Sequence, residues 1–434
     1  MMRYLYTLLF TLCIPLILLR LWLRGRKLPA YRQRWTERFG IFPAPNQNKN
    51  FIWVHTVSVG EFIAAKPMID QLLALNNYQL AVTTMTPTGS ERVTATYGDK
   101  VFHVYAPYDL PFSLSPFLNK IKPRLAVFLE TELWPNTLHA CAKRNIPTLL
   151  ANARLSEKSA RGYQKVSWLS KPMLQKLSLA AIQNSADAAR FKALGLAQEK
   201  AEIIGNIKFD IAVSDELRIQ ARKLKQQLSS DGLYNTWIAA STHKGEDEII
   251  LEAFDLLRKQ HPLARLILVP RHPDRFNSVF ELCEKRGFKT LRRSDNHSTL
   301  NSDKFDIYLG DTMGEMMLLF GCADIAFVGG SFVNNGGHNT IEPAVWRLPI
   351  LSGPSQFNFL DISRMLTKAG GLITVNNSEQ LSQQLMELFH QEKALVAGAA
   401  AAKVAEQNQG ALARLMAIIQ KQIASVHDRS QSFS

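Results

Sequence analysis

From residue 51 almost to the C-terminus, short apolar runs alternate with stretches whose apolar residues recur every three or four positions. Runs at 51–55, 80–84, 101–105, 125–129, 148–151, 179–183 and 202–204 read as strands. Segments 61–75, 88–97, 133–144 and 186–194 read as helices between them. Near-continuous apolar strands joined by helices predict a parallel sheet covered on both faces. A polar, helix-prone stretch at 214–231 breaks the pattern. Strands then resume at 237–240, 266–269, 305–309, 325–328, 349–351 and 372–375, and 378 to about 424 reads as helix. The fold class is therefore α/β, with two doubly wound, Rossmann-like domains and ligands expected where strand carboxyl ends face a cleft. A chain of 434 residues is long enough for two such cores, assigned to 31–212 and 213–434.

Residues 1–30 have a different pattern. Sixteen apolar-dominated residues, 4–19, precede a segment (20–38) with seven Lys/Arg against one acid, Glu37, interleaved with Trp22, Tyr31 and Trp35. The run is at the short edge of what spans a bilayer, and its flank lacks the small-residue cleavage site of a signal peptide. A retained membrane anchor with its basic flank on the cytoplasmic face fits the positive-inside bias. The net charge of +14 calls for an acidic partner, and the position of this cluster favours anionic membrane lipids over nucleic acid. Four widely separated cysteines, Cys13, Cys141, Cys283 and Cys322, form neither a disulfide framework nor a zinc site.

Candidate chemistry lies in the loops after strands. Glu61 follows His55-Thr56-Val57-Ser58-Val59-Gly60 and opens a helix. It is either a first-turn acid favoured by the helix dipole or a general base for an attacking hydroxyl. In Glu130-Thr131-Glu132, Glu132 is expected to cap the next helix and Glu130 to point inward. Lys208, near the hinge, is placed to neutralise an anion or a carboxylate such as Glu130. Further loops carry Pro270-Arg271-His272, Met313-Gly314-Glu315, Gly329-Gly330-Ser331 and Asn339-Thr340-Ile341-Glu342. Small residues there offer backbone N–H groups to phosphate, Arg271 a planar fork, and Glu342 an acceptor for ribose hydroxyls. His243, His272 and His338 lack metal-ligand spacing, and there is no Asp-x-Asp pair, P-loop or nucleophile elbow.

Together these motifs resemble the 3-deoxy-D-manno-octulosonic acid (Kdo) transferases of lipopolysaccharide inner-core assembly. The resemblance rests on HTVSVGE (55–61), TTMTPTGSERV (83–93), YAPYDLP (105–111), ETELWPN (130–136), ANARLS (151–156), ILVPRHPDRF (267–276), GDTMGEMMLLF (310–320) and AFVGGSFVNNGGHNTIEP (326–343). It implies a GT-B glycosyltransferase fold, CMP-Kdo as donor, a lipid A precursor (lipid IVA) as acceptor, and no metal or cofactor. It gives Glu61 the role of base and Glu130 and Lys208 transition-state stabilisation. It places CMP near Pro270, Arg271, Met313, Gly314, Glu315, Asn339, Thr340, Ile341 and Glu342. The chain reads Asn-Thr-Ile-Glu where Asn-Pro-Leu-Glu is expected, so a helix-starting proline is missing. The implied reaction inverts the sugar at the cytoplasmic face of the inner membrane. The rival readings are a membrane-bound GT-B enzyme with a UDP-sugar donor and a basic nucleic-acid-binding module.

Overall fold

The structure, a computed structural model, describes residues 2–46, 49–229, 234–295 and 305–431. The chain divides into two units, Met1–Asp210 with Gln409–Ser434, and Ile211–Asn408.

The first unit carries β1 (Asn50–His55), β2 (Tyr78–Thr84), β3 (Phe102–Tyr105), β4 (Pro123–Leu129), β5 (Thr148–Ala153), β6 (Leu179–Ile182) and β7 (Ala201–Ile203). They form one parallel sheet in the order β3-β2-β1-β4-β5-β6-β7. Alternate residues of β1 enter opposite cores, Ile52 and Val54 one, Phe51 and Trp53 the other, as the two-residue period of a strand requires. The order reverses between β1 and β4, so the loops after these strands flank the switch point where such sheets bind ligands.

The second unit repeats the scheme with β8 (Asn235–Thr242), β9 (Ala264–Pro270), β10 (Thr290–Arg292), β11 (Ile307–Leu309), β12 (Ile325–Val328), β13 (Ile350–Ser352) and β14 (Leu372–Thr374). Their order is β10-β11-β9-β8-β12-β13-β14, again parallel, with β8 and β12 at the switch point. The two doubly wound sheets are those the sequence predicts. Strand β10 is an addition: its three residues are half-buried at a sheet edge and only Leu291 is apolar, too little for a hydrophobic signal.

The assignment of 213–434 to the second domain needs correction. The single helix expected from 378 is three, Ser378–Leu388, Gln391–Gln407 and Ala411–Gln431, and the last returns to the first unit. Leu415 and Ile419 are buried with Ile52, Val54 and Leu72. Asp210 accepts hydrogen bonds from the backbone N–H groups of Gly410 (2.5 Å) and Leu412 (2.6 Å), capping this helix from 200 residues away. An amphipathic period shows that a face is buried, not which sheet buries it.

At the other end, the helix Met2–Arg24 is longer than the predicted apolar run, and long and apolar enough to cross a membrane.

Candidate active site

Glu61 leaves the carboxyl end of β1 on the helix Val59–Ala74, whose N-cap is Ser58. The Ser58 Oγ accepts the Glu61 N–H at 3.5 Å and donates to Glu61 Oε1 at 3.3 Å, while the Val57 N–H donates to Glu61 Oε2 at 2.8 Å. The residue thus takes part in a capping interaction and carries unusual acid–base chemistry as well. Burial, with smaller contributions from Glu132 and Glu130, raises its pKa to about 7 against the hydrogen bonds that lower it. Each carboxylate oxygen has a second lone pair for an incoming hydroxyl.

Glu130 leaves β4 in the left-handed region at φ +54°, a conformation costly for a residue with a Cβ, which turns the chain at the switch point. Its Oε1 accepts the Lys208 ammonium at 3.0 Å. Lys208 lies on the single turn Ile207–Phe209, fixed by Asn206 Oδ1 accepting the Lys208 N–H (3.0 Å) and by buried Asn152 Oδ1 accepting the Ile207 N–H (3.2 Å). Three of the predicted residues, Glu61, Glu130 and Lys208, therefore meet around one loop cluster.

Glu132 does not cap the following helix, Pro135–Lys143. It accepts the Trp134 indole N–H at 2.8 Å and faces His55 Nε2 at 3.9 Å, with burial raising its own pKa. Burial lowers the His55 pKa to about 4, so this imidazole stays neutral at pH 7. The cap comes from Asp109, which sequence reasoning missed. Its carboxylate accepts the N–H groups of Asn136 (3.0 Å) and Thr137 (2.6 Å) and the Thr137 hydroxyl (2.6 Å). Only its place in YAPYDLP pointed to it, since a cap supplied from 27 residues upstream leaves no local pattern.

In the second unit the glycine loop after β12 is not open to phosphate. The N–H groups of Gly330 (2.7 Å), Ser331 (2.9 Å) and Phe332 (2.9 Å) all donate to the buried carboxylate of Glu246, as does that of His243 (2.9 Å). Glu246 thereby ties the loops after β8 and β12 together across the switch point. A glutamate three residues after His243 is a capping-box spacing, the one sequence signal that could have found it.

The rings of His243 and His338 lie 5.1 Å apart and within 5° of parallel, with their Nε2 atoms 2.8 Å apart. Those distances place the rings edge to edge, sharing one N–H···N bond, not face to face. Burial lowers both pKa values, that of His338 to about 4, and Arg271 adds to the effect. Gly330, at φ +69°, leaves room for them; a Cβ there would stand 2.9 Å from His338 Cδ2.

Arg271 follows Pro270 at the end of β9. Its backbone N–H donates to the Thr242 carbonyl (2.9 Å), and its guanidinium makes no ion pair or hydrogen bond among the described residues. Its charge is felt by His338 and by Glu342, whose pKa is raised by burial and lowered in part by Asn339 and Arg271. Asn339 Nδ2 donates to Glu342 Oε1 at 3.1 Å, and Asn339 Oδ1 accepts the Ile341 N–H at 3.1 Å. This asparagine bond to the Ile341 N–H sets the turn where the expected proline is missing. Thr340 and Ile341 are buried. Met313 is exposed and Gly314 has φ +88°. The Glu315 carboxylate is bound by Arg293 (2.8 and 3.1 Å) and Thr312, which lowers its pKa. Arg293 follows β10 and was likewise missed. No group of three or more His, Cys, Asp or Glu side chains among the described residues is arranged to hold a metal.

A family profile described as 3-deoxy-D-manno-octulosonic-acid transferase (kdotransferase) matches residues 33–211. The chain is 44% identical over 427 residues to the 3-deoxy-D-manno-octulosonic acid transferase of Haemophilus influenzae, covering 96% of this chain and 98% of that one. It is 32% identical over 404 residues to the enzyme of the same name from Bordetella pertussis, covering 89% and 91%. Among solved structures it is similar to MurG of Acinetobacter baumannii, with a TM-score of 0.55 at 13% identity, covering 86% of this chain and 99% of that one. That likeness concerns the fold alone, which is of the GT-B glycosyltransferase class.

Proposed function

The chain belongs to the Kdo transferases of lipopolysaccharide biosynthesis, and on that premise we propose that it moves Kdo from CMP-Kdo to a lipid A precursor such as lipid IVA, with inversion. The observation that carries this reading is the Glu61 carboxyl. It is poised at a pKa of about 7 beside the Glu130–Lys208 pair, where a base working at neutral pH belongs.

Glu61 accepts the proton of an acceptor hydroxyl, whose oxygen forms a bond to the anomeric carbon of Kdo. The bond from that carbon to the CMP phosphate oxygen breaks on the opposite face, and CMP leaves as the anion. Lys208 and Glu130 hold the charge around the reacting centre. In the second unit Arg271 meets the nucleotide phosphate, Glu342 accepts from the ribose, and the backbone of 313–315 and 339–342 frames the nucleotide. Charge on the leaving group is met by fixed donors without a divalent ion or cofactor. The apolar N-terminal helix with its basic flank keeps the enzyme at the anionic cytoplasmic face of the inner membrane, where its acceptor is found.

Incubating the purified chain with CMP-Kdo and lipid IVA, followed by mass spectrometry of the lipid, tests this. One or more added Kdo masses are expected. Unchanged lipid, with turnover of a UDP-sugar instead, overturns the donor and acceptor assignment.

A further inference from the structure

The N-terminal helix turns one half-buried face toward the catalytic unit. From Arg3 through Tyr6, Phe10, Ile14 and Ile17 to Leu21, half-buried positions repeat at three- and four-residue steps. Leu5, Leu8, Leu12, Leu16, Leu19 and Leu23 repeat at the same steps and are all exposed. At 3.6 residues per turn the two sets centre about 160° apart, so they are opposite faces of one helix.

The inner face is specifically docked. Arg3 Nη1 donates to Asn136 Oδ1 at 2.8 Å, and Asn136 Nδ2 donates to Thr7 Oγ1 at 2.9 Å. Phe10 stacks on Tyr6 and meets Tyr108 edge-on. At the far end Arg32 Nε donates to the Trp22 carbonyl at 3.1 Å and its guanidinium covers the Trp22 ring. Gly25 makes the turn between them, since a Cβ there would strike the Arg32 side chain.

A helix that crosses a bilayer leaves its soluble domain after about a turn. This one stays on the domain for about 27 Å, from Arg3 to Leu21, at 1.5 Å per residue. Its first turn binds Asn136, whose backbone N–H is held by the buried Asp109 carboxylate, so the start of the helix is tied to the interior of the first unit.

We propose that residues 2–24 form an in-plane, monotopic helix whose leucine face sinks into one leaflet of an anionic bilayer. The catalytic unit rides on its opposite face, with both helix ends on the same side of the membrane. Exposed Arg20 and Arg24, followed by Arg26 and Lys27, supply the positive charge that such a surface attracts. The inference rests on the membrane part of the reading above and adds the mode of attachment to it.

The test uses the full chain with Cys13→Ser, in inside-out and right-side-out membrane vesicles, and a membrane-impermeant maleimide. Met2→Cys marks the helix start, and Glu199→Cys, exposed on the catalytic unit, marks the enzyme's side. Labelling of both positions from the same side is expected. Labelling of residue 2 from the opposite side, or from neither, overturns the in-plane helix while leaving membrane attachment intact. Recovery of the full chain in the soluble fraction overturns both.

Discussion

Lys208 and Glu130, separated by 78 residues, meet at 3.0 Å beside a third ionisable group, Glu61. Replacing Lys208 by Ala leaves the Glu130 charge uncompensated near Glu61 and Glu132. The Glu61 carboxyl is then harder to ionise, so the acidic limb of the pH–rate profile moves upward. The rate falls by about 10²-fold or more, the usual cost of a lost electrostatic stabiliser. Lys208→Arg restores part of the rate, and an unmoved pH limb in Lys208→Ala contradicts the coupling.

Activity should climb with pH through about 7 and level off once Glu61 is ionised. Glu61→Gln should lose about 10²- to 10⁴-fold in kcat while still binding CMP. Stability runs the other way. The folded pKa of Glu61 lies above its unfolded value, so ionisation costs the fold stability as pH rises from the ordinary carboxylate range through about 7. Thermal unfolding should therefore show Glu61→Gln more stable than the parent at pH 8, by about 2 kcal/mol after allowance for solvent screening. The two curves should converge near pH 4.

Glu246 binds four backbone N–H groups from two loops. Glu246→Gln replaces one acceptor oxygen with a donor and strands at least one buried N–H, at a cost of about 1–3 kcal/mol. A fall of several degrees in Tm is expected, with weaker CMP binding measured by calorimetry as the glycine loop loosens. An unchanged Tm would show that the loop holds its shape without this carboxylate.

These residues also show what the sequence can and cannot reveal. The switch-point loops were legible because apolar strands, read in order, end at Glu61, Glu130 and Arg271. Asp109 and Glu246 were missed because the backbone groups they bind lie 27 to 86 residues away, apart from the His243 N–H three residues before Glu246, and distant backbone N–H groups carry no sequence signature. Glu132 was misassigned for a related reason. A capping carboxylate from elsewhere had already taken the helix terminus, freeing Glu132 for the Trp134 indole.

Arg271 has no protein partner for its guanidinium among the described residues. Arg271→Lys retains the charge and loses the planar fork, so KM for CMP-Kdo should rise about tenfold with little change in Tm. A fall in kcat at unchanged KM would instead place the side chain at the reacting bond.

Chelation offers a separate check. On the proposed mechanism, in which fixed donors meet the leaving phosphate, dialysis against EDTA should leave the transfer rate within about twofold of the untreated enzyme. Loss of activity restored by magnesium would contradict this.

Because Asp210 grips the backbone at Gly410 and Leu412, the polypeptide departs from the first lobe and re-enters it at one spot. Residues 211–408 are in effect an insertion whose two ends are pinned side by side. A gene truncated after codon 408 therefore removes more than a tail. It strips Leu415, Ile419 and Ile423 from the sheet bearing Glu61, and the lobe at the opposite end of the gene is the one that should aggregate.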